Sequence, residues 1–291
     1  MRLLAMLVVA TVLCGSTVLA QGEMEKVEIT ATAVSGSVHM LVGMGGNIAV
    51  SAGPDGVLIV DDQFEALAPK IMAALATLGS GKPKFILNTH WHGDHVGGNK
   101  VFGATGTIVA TQNVRKRMAA GSTKPFKNDP APKEALPIVT FDQSLSIYFN
   151  DEEIRALQMA PGHTDGDSVI VFTKSNVVHT GDLFFNGLFP FIDLDSGGSV
   201  EGYIADVAKI LEMLPAGAKI VPGHGPLADR AAYEKFLAML KSTSGTVRAG
   251  IKAGKSLDAI KQQGLGAEWK SWAWEFISEA SFIETLYRGL K

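Results

Sequence analysis

The sequence predicts a mixed α/β fold built as one domain, and three observations predict it. Residues 27 to 62 alternate short β-rich segments with turns. Further along, apolar residues recur at helical spacing on either side of short apolar runs. Hydrophobic residues make up 46% and charged residues 19% of the 291, so the chain can bury a large core and is not globally disordered.

The elements run in order from the N-terminus. Arg2, the almost wholly apolar run Leu3 to Leu13 and the small-residue stretch Val18-Leu19-Ala20 read as a secretory signal peptide over residues 1–20. Cleavage after Ala20 leaves a periplasmic or secreted protein with one domain over residues 21–291. Gly15, Ser16 and Thr17 break the apolar stretch short of the ~20 residues needed to span a bilayer, so no stable membrane association is expected after removal. Leu13 is a poor residue to precede a lipidated Cys14.

Val27 to Val34, Ser37 to Val42, Ile48 to Ala52 and Val57 to Asp61 form an antiparallel start to a sheet, with Gly53-Pro54-Asp55-Gly56 as a turn. Gly43-Met44-Gly45-Gly46-Asn47 joins two strands and opens no helix, so it reads as a tight hairpin or a substrate-facing turn and not as a phosphate loop. Leu67, Ile71, Ala74, Leu75 and Leu78 mark a helix over 65–78 that stops before Gly79. Phe85-Ile86-Leu87 is a short buried strand. Four prolines within Gly121 to Pro137 indicate a surface loop. Ser168 to Thr173 and Asn176 to Thr180 form a strand pair, and helices over Val200 to Leu214 and Ala231 to Leu240 flank a strand at Ile220-Val221. The region from Val247 to Leu290 is amphipathic, and its Trp269, Trp272 and Trp274 are expected to pack rather than bind ligand.

A net charge of -3 disfavours nucleic acid as a partner, because that recognition depends on cationic contacts to phosphate. A small-molecule substrate is expected instead. Cys14 is the only cysteine, so the mature chain has no disulfide and no thiolate ligand. Serine nucleophile chemistry has no support either, since no Gly-x-Ser-x-Gly occurs.

The chemistry lies past the strand at Phe85-Ile86-Leu87, in His90-Trp91-His92-Gly93-Asp94-His95. Imidazole is the commonest metal ligand and carboxylate oxygen binds zinc at a similar distance. On extended backbone His90 and His92 point to the same side and can share an ion. Gly93 then turns the chain, so that Asp94 and His95 can hold a second. Three more segments carry a potential ligand beside glycine: Pro161-Gly162-His163-Thr164, Thr180-Gly181-Asp182 and Pro222-Gly223-His224-Gly225. Seven ligand candidates thus sit at four strand ends.

At these motifs the chain resembles the metallo-β-lactamase superfamily, whose pattern of His-x-His-x-Asp-His, a distant His, Asp or Cys, and a last His is matched at every position. The resemblance implies an αββα sandwich and two zinc ions per chain. His90, His92 and His163 would hold the first, Asp94, His95 and His224 the second, and Asp182 would bridge them. It also implies a hydrolase in which a metal-bridging hydroxide attacks a carbonyl, since zinc can lower the pKa of bound water to about 7. Asp94 is then the catalytic residue that orients the hydroxide and passes a proton to the leaving group. Carboxylate in place of thiolate leaves manganese or iron less excluded, with zinc favoured by the histidines.

The 19 residues from His163 to Asp182 and the 42 from Asp182 to His224 resemble the lactamase subclass with a Cys ligand. That subclass carries a substrate-clamping lysine three residues after the Cys, where this chain has Phe185. Asp182 in the bridging position resembles glyoxalase II, lactonases and the quinoprotein-relay metallohydrolases. The resulting expectation is an exported dizinc hydrolase of cyclic amides or esters. A β-lactam, with antibiotic resistance as its consequence, is the most concrete candidate; a lactone or thioester, or a non-hydrolytic accessory role in a periplasmic quinoprotein relay, is the alternative. Trp91, Phe185 and Asn186 are expected to contact substrate, with Phe184, Phe189 and Phe191 adding to an apolar rim. Among the other polar residues, His39 reads as a strand residue and His179 as facing away from Asp182. Asp61 and Asp62 read as turn caps or as carboxylates that orient a ligand imidazole.

Overall fold

The structure is a computed structural model that describes residues 24–124 and 127–291, so the expected signal peptide lies outside the described residues. The first sheet begins with the predicted antiparallel meander: β1 (Thr30–Ser35), β2 (Val38–Val42), β3 (Ile48–Gly53) and β4 (Gly56–Val60). It continues in parallel through β5 (Phe85–Leu87), β6 (Thr107–Thr111) and β7 (Val139–Phe141). The second sheet contains β8 (Ser144–Phe149), β9 (Glu152–Gln158), β10 (Ser168–Phe172), β11 (Val177–His179) and β12 (Lys219–Val221), in the order β12-β11-β10-β9-β8. Only the β11–β12 pairing in it is parallel.

Helices α1 (Ala68–Leu78), α2 (Gly93–Val96), α3 (Asn99–Phe102) and α4 (Gln112–Ala120) accompany the first sheet in sequence, while α5 (Val200–Met213), α6 (Arg230–Lys252), α7 (Leu257–Gln263) and α8 (Glu279–Leu290) belong to the second half.

Side-chain alternation along the strands creates the layers. Leu58, Val60, Leu87 and Val109 face the core between the sheets, where they meet Ile154, Ile170, Phe172 and Val221. Their sequence neighbours Val57, Ile59, Ile86 and Ile108 point the other way, into a core with Ile71 and Leu75 of α1. In the second sheet Val169, Val178 and Ile220 turn outward onto Val207, Ile210, Phe236 and Phe282 of α5, α6 and α8. Helix, sheet, sheet and helix therefore stack as an αββα sandwich. Since parallel strands covered on both faces need apolar residues at every position, β4 and β5 read as unbroken apolar runs. Ile71 is fully buried on α1, and its replacement by Ala would cost about 2–5 kcal/mol.

Helix α6 runs twelve residues past the predicted end at Leu240. The polar stretch after Leu240 is a weak helix signal, but Thr243, Ser244, Val247 and Gly250 are all buried. Thr243 donates its hydroxyl proton to the Met239 carbonyl at 2.8 Å, and Gly250 leaves room for the Ile260 side chain. Tertiary packing overrides local propensity here.

Candidate metal centre

The sandwich gathers four strand ends at one edge. His90, Asp182 and His224 each lie three residues beyond the last residue of β5, β11 and β12, and His163 lies five beyond β9. Two of these strands, β11 and β12, run parallel, so their ends emerge side by side. The parallel partner of β5, β4, ends just before Asp61 at the same edge.

His90, His92, His163 and Asp182 form one group of potential ligands, and Asp94, His95 and His224 another, each within 4.8 Å. His163 Nε2 is 2.9 Å from His92 Nδ1. His95 Nε2 and His224 Nε2 are 3.4 Å apart, and Asp94 Oδ2 is 3.4 Å from the latter. Asp182 stands between the groups. Its Oδ2 lies 3.4 Å from His163 Nε2 and 3.7 Å from His90 Nε2. Its Oδ1 lies 3.1 Å from His95 Nε2 and 3.4 Å from His224 Nε2. Ligand atoms at ~2.0–2.2 Å around a tetrahedral ion sit roughly 3.3–3.6 Å apart, which is the spacing seen.

The outer hydrogen bonds assign the tautomers of His90, His92, His95 and His163, because the remaining nitrogen of each faces an acceptor. His95 Nδ1 donates to Asp61 Oδ2 at 2.8 Å, and His92 Nε2 donates to Asp193 Oδ2 at 2.9 Å. The Phe191 carbonyl accepts from His163 Nδ1 at 2.7 Å. His90 Nδ1 is 3.1 Å from Thr89 Oγ1, which itself donates to Asp61 Oδ2 at 2.8 Å. Asp61 thus braces one imidazole of each group, directly or through Thr89. It adopts a φ of 64°, a left-handed conformation that Asp tolerates better than most residues. Its neighbour Asp62 caps a turn by accepting from the Gly98 N–H at 2.8 Å, so orienter and cap both occur.

Two observations test whether these residues suit a metal. His90 Nε2 is buried among the ligands with no hydrogen-bond partner, a costly arrangement for a polar atom unless something else uses its lone pair. Burial pushes His90 well below its ordinary pKa and His163 down to about 4, so both offer free lone pairs at neutral pH. Burial also opposes charge on His224, yet Asp182 and Asp94 outweigh it and lift that imidazole to about 9. The carboxylates thus create a field that favours positive charge between His95 and His224, where a cation would experience it. The donor set fits a divalent ion with nitrogen and oxygen ligands.

Close backbone approach is built in as well. A Cβ on Gly46 would sit 2.2 Å from His95 Cε1, and one on Gly223 would sit 2.1 Å from Asp182 Oδ1. The Gly43–Asn47 turn is therefore the floor beneath a ligand, and Met44 and Gly45 also line the adjoining pocket. His179 contacts the same turn, donating from Nε2 to the Asn47 carbonyl at 3.0 Å, while its Nδ1 accepts the Gly181 N–H just before Asp182. His39 stays on β2, half-buried.

A sequence model of the metallo-beta-lactamase superfamily matches residues 31–224. The chain belongs to the metallo-beta-lactamase superfamily. Curated relatives include the hydroxyacylglutathione hydrolase of Pelagibacter ubique, 31% identical over 145 residues that cover 48% of this chain and 51% of that one. The beta-lactamase-like protein 2 homolog of Drosophila melanogaster is 32% identical over 152 residues, 50% of this chain and 45% of its own. The chain thus spans about half the length of the curated relatives it matches. Among solved structures, a metallo-beta-lactamase from Pontibacter korlensis aligns with a TM-score of 0.61 at 17% identity over 74% of this chain and 99% of its own. A stereoselective inverting sec-alkylsulfatase from Pseudomonas sp. aligns at 0.67 and 13% over 90% and 51%. These structural likenesses show the metallo-beta-lactamase fold.

Two expected substrate contacts are corrected by the packing. Trp91 points away from the ligands and packs with Val96, Ala110, Val114 and Met118, because the alternation that brings His90 and His92 together sends the residue between them to the opposite side. Asn186 is drawn off the pocket by its side chain, which donates to the Pro226 carbonyl at 2.9 Å. Phe185 does line the pocket and stacks on His224, with ring centroids 4.9 Å apart. Trp274 and Phe276, beyond the matched span, line it too, so Trp274 does more than pack. Asp193 and the Phe191 carbonyl are functional groups that sequence reasoning missed.

Proposed function

We infer that this superfamily hydrolase is an exported enzyme that uses two zinc ions to cleave the acyl C–N or C–O bond of a cyclic amide or ester. The observation that carries the reading is Asp182, whose two oxygens face separate ligand groups at the base of a pocket of about 500 Å³. His90, His92 and His163 would hold one ion, Asp94, His95 and His224 the other, and Asp182 both. Such ions supply electrophilic activation of a carbonyl and a water acidic enough to attack it at neutral pH.

The chain's own groups organise the rest. Asp61, Asp193 and the Phe191 carbonyl accept from the outward nitrogens of His95, His92 and His163, so that the inward nitrogens are the ones left to face an ion. Burial favours a neutral Asp94, but His95 and His224 overcome it and hold its carboxyl at about 2, so it is ionised at neutral pH. Asp94 lines the pocket with a side chain that is 28% exposed. The carboxylate oxygen not used as a ligand would take the proton of the attacking water as the water oxygen bonds to the carbonyl carbon. The same oxygen returns the proton to the departing nitrogen, oxygen or sulfur as the acyl bond breaks. A β-lactam is the most concrete amide of this class, and the Pelagibacter relative's name extends the reading to thioesters. Export rests on the leader pattern at residues 1–20.

The test combines metal analysis of purified mature protein with turnover of a chromogenic cephalosporin, a lactone and a glutathione thioester, each with and without chelator. Two bound zinc ions and chelator-sensitive, zinc-restored turnover of at least one substrate are expected. Absence of all turnover with both ions present rejects hydrolysis in favour of a non-hydrolytic metal-binding role. A mature protein beginning at Gln21 in the periplasmic fraction is the expected export result.

A further inference from the structure

We propose that the pocket selects substrates with an uncharged, apolar or aromatic group beside the scissile carbonyl, and discriminates against those carrying a carboxylate there. This rests on the hydrolase reading and names its substrate class: neutral esters and lactones. The wall above the ligands is formed by Met44, Phe64, Phe185, Phe191, Trp274 and Phe276. Phe185 stacks on His224, and Phe276 packs edge-on to Phe191, with centroids 5.8 Å apart. Phe276 and Trp274 are likewise 5.5 Å apart, so the aromatic surface is continuous.

Among the described residues that line the pocket, none is lysine or arginine. Cations in the adjoining cleft are already engaged: Lys100 with Glu65 at 3.1 Å, and Arg117 with Asp165 at 2.6 and 2.7 Å. On the neighbouring loop, Lys127 lies 3.8 Å from Asp129. A second carboxylate on the substrate would thus lose water against aromatic rings, with no lysine or arginine among the described lining residues to receive it, which is unfavourable. An apolar group there gains from displacing water. β-Lactams and glutathione thioesters both carry such carboxylates.

Matched probes isolate the charge. The 4-nitrophenyl ester of hexanoic acid and the mono-4-nitrophenyl ester of adipic acid share a six-carbon acyl chain and differ by one terminal carboxylate. The expected kcat/KM favours the neutral ester by about 10- to 100-fold, mostly through KM. Phe276→Lys and Met44→Lys place a cation on the wall at side chains that are 50% and 38% exposed, where folding tolerates it. Either should reduce the preference about tenfold or reverse it. Binding to metal-free protein supplies a readout independent of turnover: N-phenyl-1-naphthylamine should bind at least tenfold more tightly than its 8-sulfonate.

Equal or better turnover of the adipate ester, together with equal or tighter binding of the sulfonate, overturns the proposal and leaves the hydrolase reading intact. Failure of every ester, cephalosporin and thioester to turn over rejects hydrolysis, while the dye pair still reads the wall's preference.

Discussion

Asp61→Asn tests how the protein prepares its imidazoles. In the native structure Asp61 Oδ1 accepts the Thr89 N–H, while Oδ2 accepts from both His95 Nδ1 and Thr89 Oγ1, all at 2.8 Å. Asparagine is nearly the same size and keeps an oxygen for Thr89 N–H, which leaves its NH2 facing two donors. His95 can relieve the conflict only by baring Nδ1 and moving its proton to Nε2. That atom faces Asp182 and Asp94 at 3.1 and 3.7 Å, so the proton would occupy the position from which a metal is bound. Losing such an orienting partner weakens metal binding about 10- to 100-fold, or roughly 1.4–2.7 kcal/mol. The loss should fall on the ion at Asp94, His95 and His224, with a smaller effect at His90 through Thr89. Titrating metal-free protein against a chromophoric chelator measures both affinities, nitrogen NMR of the imidazoles reads the tautomer, and circular dichroism checks folding. A folded variant that binds two ions with native affinities, or keeps the His95 proton on Nδ1, would falsify the assignment.

Three further perturbations separate the parts of the site. Asp193→Asn turns an NH2 toward His92 Nε2, since Ser196 N–H claims the other oxygen at 3.0 Å, and should weaken the ion at His90, His92 and His163 about 10- to 100-fold while sparing the other; equal losses at both ions would contradict it. Gly46→Ala drives a methyl into the His95 ring, 2.2 Å from Cε1, and should remove most affinity for the second ion and most turnover; native metal content and rate would show that the 43–47 turn gives way instead. Burial raises the Asp206 carboxyl to about 7, so the native state holds its proton across the window from about 4 to 7 while the unfolded chain releases it. Its stabilising contribution is therefore complete below about 4 and lost as pH rises through 7, and Asp206→Asn should flatten the fall in melting temperature between pH 5 and 8; parallel profiles would refute this.

The gathering of the candidate ligands was legible because they are local to strand ends. Three of the four segments put a ligand three residues past a strand, where a short apolar run followed by glycine announces both. The layering was legible only through the family resemblance, since the unbroken apolar run Val57 to Val60 does not itself tell the inner residues Leu58 and Val60 from the outer Val57 and Ile59. The bracing groups were not. Asp193 lies 101 residues from the ring it orients, in a loop with no motif, and the acceptor for His163 is a backbone carbonyl, which leaves no trace in side-chain chemistry. Asp61 was half legible, as one of two adjacent carboxylates whose roles differ by only one backbone step. Trp91 was misplaced although the alternation used to join His90 to His92 already turned it away.

The same loop ties the pocket wall to residues outside the family's matched span. Phe189 N–H donates to the Trp272 carbonyl at 2.8 Å, and the Trp274 indole N–H donates to the Phe189 carbonyl at 3.0 Å. Two residues on, Phe191 contributes its ring to the pocket and its carbonyl to His163, and Asp193 comes next with the bond to His92. A segment from the C-terminal part of the chain thus adds Trp274 and Phe276 to the aromatic wall and braces the loop that orients two candidate metal ligands. Changes there shift substrate choice and metal affinity together when they reach Trp274, but substrate choice alone at Phe276, whose side chain stands half-exposed at the rim.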